Sequence, residues 1–165
     1  MHAKILQIGC GNSRVAEDLY FAGFREITNV DISKVVISQM QKRHLDKSEL
    51  RWLAMDVAQQ LEFGDASFDL IFDKGTLDSL LCADDADERC ERALREVARC
   101  LRPGAAFACV SYGAPINRLC YFDKPAYGWT VQTPALIPKP QLVRVDVKDE
   151  EDAQHTLYVC TKHAQ

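Results

Sequence analysis

Short apolar runs alternate with segments of helical periodicity along most of this chain. The runs are bounded by turn residues and predict strands at residues 4–8, 26–30, 50–55, 68–72 and 105–112. Strands that alternate with helices are typical of a parallel sheet with helices on both faces. The pattern therefore predicts a doubly wound, mostly parallel α/β sheet.

The helices between these strands have recognisable start and stop signals. We expect Asn12 to cap the first helix and Ser33 to cap the second. The acidic residues at 84–88 favour the start of a third helix, since negative charge suits the positive end of the helix dipole. An apolar stripe marks the buried face of that helix, and Arg102-Pro103-Gly104 ends it; the stripe is Cys90, Leu94, Val97, Ala98 and Leu101.

The last third of the chain is less regular. Residues 127–132 and 157–161 favour strands, and the acidic residues 146–152 predict an exposed turn between late strands. There is no internal repeat, low-complexity tract or linker in the sequence. The sequence therefore predicts a single domain over residues 1–165.

Composition and charge exclude several classes of protein. The formal net charge of −4 argues against a general nucleic-acid binder, which is usually basic. No apolar run is long enough to span a bilayer, and the N-terminus lacks the layout of a secretory signal. The seven cysteines are odd in number and form no C-x-x-C pair, which favours buried, reduced thiols in a cytoplasmic protein rather than disulfides or a zinc site.

Polar or glycine residues follow the first four predicted strands at the edge where ligands bind in such sheets. Gly9 and Gly11 in the first turn allow the backbone to approach a ligand closely. Asp31, which is 20 residues after Gly11 (31 − 11), suits a carboxylate that accepts hydrogen bonds from both ribose hydroxyls. Asp56 can accept from the exocyclic amine of adenine, and its neighbours Met55 and Val57 can flank the ring.

The glycine loop discriminates among nucleotides. In a dinucleotide-binding G-x-G-x-x-G loop the third glycine would fall on Arg14, whose side chain would obstruct the close approach of the helix. The phosphate-binding motif G-x-x-x-x-G-K-[ST] is absent. An adenosyl ligand without phosphates fits better, and S-adenosylmethionine is such a ligand. A lone G-x-G is an ordinary strand-to-helix turn in many proteins, so this prediction depends on Asp31 and Asp56.

Three stretches carry a resemblance to a known family: residues 9–13, residues 29–33 with 35–37, and Phe72-Asp73-Lys74-Gly75-Thr76-Leu77-Asp78. The chain resembles the seven-stranded class I S-adenosylmethionine-dependent methyltransferases, and within them the methyltransferase-like group that modifies elongation factor 1A. The likeness extends over residues 4–112 and is thin beyond them. The glycine and aspartate pieces are common to the superfamily, whereas the 73–78 piece is more specific to this group.

The resemblance implies a Rossmann-like fold whose last strand is antiparallel, and S-adenosylmethionine as cofactor. It further implies a protein substrate, such as a lysine of elongation factor 1A, with no metal, nucleic acid or membrane involved. The implied cofactor-binding residues are Gly9, Cys10, Gly11, Asn12, Asp31, Ile32, Met55, Asp56, Val57 and Asp73.

Two carboxylates near the end of the fourth strand have alternative roles. Asp73 can orient a substrate amine near the methyl group, and Asp78, one helical turn further on, can assist it. Alternatively, either residue can cap the short helix near residues 77–81. We favour the catalytic role for Asp73 and the cap for Asp78.

Two features depart from the family pattern. Gln7 stands where the first strand of the family often carries an acidic residue. Only Met1, His2 and Ala3 precede the first strand, whereas family members carry a helical segment there. We therefore expect the glycine loop to be open and cofactor affinity to be low.

Other functions remain open from the sequence. A small-molecule methyltransferase uses the same fold, since fold does not fix the substrate. A non-catalytic module that docks a true methyltransferase would also bind the cofactor. A nucleic-acid methyltransferase is disfavoured because the fourth strand lacks the Asn/Asp-Pro-Pro-aromatic signature.

Overall fold

The computed structural model describes residues 2–138 and 154–164. The strands are β1 (Lys4–Ile8), β2 (Glu26–Asp31), β3 (Leu50–Ala54), β4 (Phe68–Lys74), β5 (Leu101–Ser111), β6 (Trp129–Val131), β7 (Ala135–Pro138) and β8 (Gln154–Lys162). The α-helices are α1 (Val15–Phe21), α2 (Lys34–Arg43), α3 (Thr76–Leu80), α4 (Ala86–Cys100) and α5 (Leu119–Phe122). Two 3₁₀ turns, Pro115–Asn117 and Pro125–Tyr127, flank α5.

The strands form one sheet in the order β3-β2-β1-β4-β5-β8-β6, with β7 also paired to β8. The pairs β3–β2, β2–β1, β1–β4 and β4–β5 are parallel, whereas β8 is antiparallel to β5, β6 and β7. The predicted fold class, a mostly parallel sheet with an antiparallel last strand, is confirmed. The described sheet has seven strands in that order plus β7, which the sequence analysis missed.

The register of the parallel strands brings their carboxyl ends to one edge. Ile8 pairs with Val30 on one side and with Asp73 on the other. Asp31 in turn pairs with Ala54. The turns that follow β1, β2, β3 and β4 therefore meet at the same edge of the sheet, as the sequence predicts.

Two apolar layers cover the two faces of the sheet. On one face α1 and α2 pack on a cluster that includes Ile5, Ile27 and Trp52. On the other face α4 packs on a larger cluster, to which it contributes Cys90, Leu94, Val97 and Ala98, all buried. The stripe predicted for this helix is confirmed, although the fifth member, buried Leu101, is already the first residue of β5.

Several predicted boundaries are wrong. Helix α1 begins at Val15 after Arg14, and no side chain caps it, so Asn12 is not its cap. The segment 102–104 lies within β5, where a register shift opposite Phe68 and Leu70 accommodates the positive φ of Gly104. In the late region, β6 is shorter than predicted and β8 is longer. The turn predicted at residues 146–152 lies outside the described residues.

Candidate active site

A cleft of about 500 Å³ lies at the carboxyl ends of β1, β2, β3 and β4. Glycines from the first turn, carboxylates from the second and third, and residues of the β4–α3 turn line it. The size is within the range of about 300–1,000 Å³ that is usual for small-molecule sites. Of the residues predicted to bind the cofactor, those at the cleft are Gly9, Gly11, Asp31, Ile32, Met55, Asp56 and Val57.

The two glycines of the first turn share a backbone conformation but differ in surroundings. Both have φ of +53°, in the left-handed region that favours glycine. A Cβ on Gly9 would lie 2.0 Å from Oγ1 of Thr76, the first residue of α3, and that hydroxyl donates a hydrogen bond to the Ile8 carbonyl at 3.0 Å. A Cβ on Gly11 would meet nothing within 4 Å. Gly9 therefore allows β1 and α3 to pack closely, and Gly11 leaves the floor of the cleft open.

Asp31 is fixed at the end of β2 by two backbone amides. One carboxylate oxygen accepts from the Gly11 amide and the other from the Ser33 amide, each at 2.9 Å. These bonds tie the ends of β1 and β2 together and hold the carboxylate at the cleft. The next side chain, Ile32, is 65% exposed there and offers an apolar surface.

Asp56 is oriented in a similar way at the end of β3. Its Oδ1 accepts from the Ala58 amide at 2.9 Å, and its Oδ2 lies 3.6 Å from Nη2 of Arg89 in α4. Met55 and Val57 also line the cleft. The Asp56 carboxylate is thus fixed by the Ala58 amide and by Arg89 in a part of the cleft that two apolar residues also line.

Asp73 caps α3, contrary to our assignment. Its Oδ1 accepts from the Thr76 amide at 2.8 Å, and its Oδ2 accepts from the Leu77 amide at 3.1 Å and from the Cys109 thiol at 3.2 Å. The side chain has no exposed surface and does not line the cleft. Burial raises the pKa of Asp73, and the hydrogen bonds oppose that shift. The position predicted for Asp73, facing a substrate amine, is therefore wrong.

Asp78 is not a helix cap. Its Oδ1 accepts from the Ser111 hydroxyl at 2.5 Å and from Nη2 of Arg118 at 3.1 Å, and its Oδ2 accepts from the Tyr112 amide at 3.1 Å. Only 2% of Asp78 is exposed. It joins α3 to the end of β5 and the segment that follows. The cap predicted for Asp78 is therefore formed by Asp73 instead. Asp78 is part of a buried ion pair.

Cys10 and Asn12, also predicted to bind the cofactor, do not line the cleft. Cys10 is 2% exposed and belongs to the apolar layer beneath α1 and α2. Burial raises the pKa of its thiol to about 12, so the group is neutral at ordinary pH. Asn12 is exposed on the turn before α1. The residues of this turn that line the cleft are the two glycines, Gly9 and Gly11.

Sequence reasoning missed part of the cleft wall. Lys74, Gly75 and Thr76 line it and lie in the 73–78 motif that carries the resemblance, so their place in the sequence was a signal for them. Ser79 and Arg89 also line the wall. Arg89 comes from the first turn of α4, which reaches the cleft through tertiary packing that no local pattern reveals.

The cleft fits S-adenosylmethionine. The space above Gly11 allows close approach of a ligand to the backbone, and no Cβ obstructs it. Two carboxylates at the ends of adjacent strands, Asp31 and Asp56, line the same cleft as the apolar residues Ile32, Met55 and Val57, so the lining combines hydrogen-bond acceptors with apolar groups. No phosphate-binding group is needed in this arrangement.

The fold and the cleft define the class of protein. Residues 6–109 match the family model described as a methyltransferase domain. The chain therefore belongs to the methyltransferase domain family, of the class I, S-adenosylmethionine-dependent kind. The resemblance stated from the sequence is confirmed, and the predicted cofactor is the one that this class uses.

Two curated relatives are named as methyltransferases of eEF1A. A human eEF1A lysine and N-terminal methyltransferase is 44% identical over 133 residues, which cover 78% of this chain and 19% of that protein. A mouse EEF1A lysine methyltransferase 4 is 35% identical over 137 residues, which cover 78% of this chain and 53% of that protein. This chain spans from about a sixth to about half of the length of the curated relatives it matches.

Solved structures confirm the fold. A methyltransferase from Methanosarcina mazei superposes with a TM-score of 0.73 at 15% identity, covering 99% of this chain and 94% of that one. The N-methyltransferase NodS from Bradyrhizobium japonicum, solved with S-adenosyl-L-homocysteine, has a TM-score of 0.73 at 18% identity, covering 97% and 78%. Within residues 2–138 and 154–164, no helix is long and apolar enough to cross a membrane.

Proposed function

We propose that this chain transfers a methyl group from S-adenosylmethionine to a lysine amine of a protein, with elongation factor 1A as the acceptor. The observation that carries the proposal is the combination of the cleft with the 35–44% identity to enzymes named for methylation of that factor. Such an acceptor places the reaction in the cytoplasm.

Four groups would hold the cofactor in this proposal. The backbone at Gly9 and Gly11 would follow its flexible tail, Asp31 would accept from the ribose hydroxyls, and Asp56 would accept from adenine. Because backbone amides already orient both carboxylates, little conformational freedom is lost when they bind. When bound, S-adenosylmethionine supplies an electrophilic methyl group.

The wall of α3 would position the acceptor amine. Thr76 and Ser79 line the cleft, and each hydroxyl donates to a backbone carbonyl, at 3.0 and 2.9 Å, so that its lone pairs remain available to an amine. Leu80 and Ala83 extend the same wall. An amine placed against such an apolar surface loses its proton more readily, because burial disfavours the charged form. Alignment of the neutral amine would then supply much of the rate.

The test is methyl transfer to purified elongation factor 1A. The chain is incubated with methyl-labelled S-adenosylmethionine and the factor, and mass spectrometry locates the modified residue. We expect label on one lysine of the factor, and none with the Asp31→Ala variant. The exposed Asp18 on α1 offers a matched control, since Asp18→Ala should transfer normally.

Other outcomes would assign a different function. Label that appears only in small molecules of a cell extract would show a small-molecule methyltransferase. Binding of the cofactor without transfer to any acceptor would show a non-catalytic module. Either result would contradict the lysine proposal while leaving the cofactor site intact.

A further inference from the structure

The charges around the cleft are arranged along the order of the strands. Asp56 follows β3 and Asp31 ends β2, so the acidic groups lie on one side of the glycine turn after β1. On the other side, β4 ends in Lys74, whose position in the sheet is fixed by pairing with Val110 of β5. The cleft is therefore acidic at one end and basic at the other.

Lys74 differs from the other cation of the described cleft. Arg89 lies 3.6 Å from Asp56, so its charge is balanced at the acidic end. The side chain of Lys74 is exposed, lines the cleft, and makes no hydrogen bond or ion pair within the part of the chain that the structure describes. A cation without a counter-charge at a ligand cleft attracts an anionic group of a ligand.

The proposed cofactor carries such a group at the corresponding end. With its ribose at Asp31 and its adenine at Asp56, its amino-acid tail runs past the glycine turn toward β4. Strands β2 and β4 are two positions apart in the sheet, about 10 Å at the usual strand spacing. The flexible side chain of Lys74 can cover the remaining distance between the end of the tail and β4.

We propose that Lys74 binds the carboxylate of the amino-acid tail of the cofactor. The inference rests on the proposed function, because it takes the orientation of the cofactor from Asp31 and Asp56. Lys74 thereby selects ligands that have the tail over nucleosides that lack it.

Calorimetric titration with two ligands tests this role. S-adenosylhomocysteine has the tail, and methylthioadenosine has the same adenosine and thioether without it. We expect Lys74→Met to weaken S-adenosylhomocysteine binding about tenfold, the usual effect of losing one hydrogen bond to a charged group, and to leave methylthioadenosine binding unchanged. Lys74→Arg should retain most of the affinity. Lys42, exposed on α2 away from the cleft, provides the control Lys42→Met, which should change neither.

The outcomes separate this inference from the proposed function. If the wild-type chain binds both ligands and Lys74→Met weakens both equally or neither, the inference is wrong while the cofactor site stands. If the wild-type chain binds neither ligand, the proposed function fails and the inference fails with it. Selective loss of S-adenosylhomocysteine, restored by arginine, supports the assignment.

Discussion

The two halves of the sheet use their strand ends differently. At the ends of β1, β2 and β3, the side chains and backbone face an open cleft, and the bonds of Asp31 and Asp56 to backbone amides orient those carboxylates toward it. At the end of β5, the polar groups contact each other. Asp78, Ser111 and Arg118 form a closed hydrogen-bonded cluster, in which Asp78 is 2% exposed.

The difference shows that strand ends of one sheet can serve either ligand binding or the stability of the fold. Beyond β5, buried aromatic rings stabilise the late segment: Phe122 stacks on Tyr158 at 4.9 Å, and Trp129 stacks on Phe107 at 5.9 Å. We call the ends of β1, β2 and β3 the first region, and the end of β5 with the segment that follows it the second region. We expect changes in the first region to lower ligand affinity and changes in the second region to lower the free energy of unfolding.

The largest effect is expected from breaking the buried ion pair. Arg118→Met leaves the Asp78 carboxylate buried without its cation, which should lower the free energy of unfolding by about 3 kcal/mol. Affinity for S-adenosylhomocysteine should change little. Urea unfolding and calorimetric titration measure the two quantities.

A matched exposed pair provides the control for Arg118. Arg95 pairs with Glu91 on the surface of α4, where its side chain is 61% exposed, so Arg95→Met should cost less than about 1 kcal/mol. The double variant Asp78→Asn/Arg118→Met should recover part of the lost stability, since both charges of the buried pair are then removed. Equal costs for Arg118→Met and Arg95→Met would contradict this account of the second region.

For Asp31, in contrast to Arg118, we expect a large loss of ligand affinity and a small loss of stability. Two hydrogen bonds from ribose to a carboxylate contribute about 3 kcal/mol together, so Asp31→Ala should weaken S-adenosylhomocysteine binding about a hundredfold or more. The free energy of unfolding should fall by about 1 kcal/mol, because the Gly11 and Ser33 amides can bond to water instead. A variant that unfolds readily yet binds normally would remove the distinction between the two regions.

The two glycines sharpen the comparison within the first region. Gly9→Ala and Gly11→Ala impose the same left-handed strain of about 1–2 kcal/mol, because both have φ of +53°. Only Gly9→Ala also forces Thr76 to move and breaks its bond to Ile8, so its total cost should be about 3 kcal/mol. Thermal unfolding of the two variants checks this, and equal costs would show that the β1–α3 contact contributes nothing.

The smallest effect concerns His44, which is buried against Trp52 at a ring distance of 5.2 Å. Burial lowers the pKa of His44 below its ordinary 6.5, so the unfolded chain takes up this proton first as the pH falls. The contribution of His44 to stability is therefore present above pH 6.5 and is lost on acidification through the lowered pKa. Replacement by phenylalanine keeps the ring and removes the titration.

Unfolding measured at several pH values tests the His44 prediction. The His44→Phe variant should show a weaker loss of stability on acidification than the wild-type chain. The neighbouring Leu45, which is 81% exposed, provides the control, since Leu45→Ala keeps the imidazole and should leave the wild-type slope unchanged. A slope that is the same with and without His44 would contradict the prediction.

The residues of the first region could be predicted from the sequence better than those of the second region. Gly9, Gly11, Asp31 and Asp56 were predictable because each follows directly on a strand, and parallel strands end at one edge. The role of Asp73 was not, because a carboxylate after a strand can face a ligand or cap the next helix, and only tertiary packing decides between them. Arg118 reaches Asp78 across 40 residues, and no local pattern encodes that contact.

The central claim is that the carboxyl ends of β1, β2, β3 and β4 bind the adenosyl cofactor. A crystal structure of the chain with S-adenosylhomocysteine tests it most directly. We expect both ribose hydroxyls within hydrogen-bonding distance of Asp31, about 2.5–3.0 Å, and adenine beside Asp56. Ligand density at another place, such as the second cleft near Arg51 and Phe63, would contradict the account.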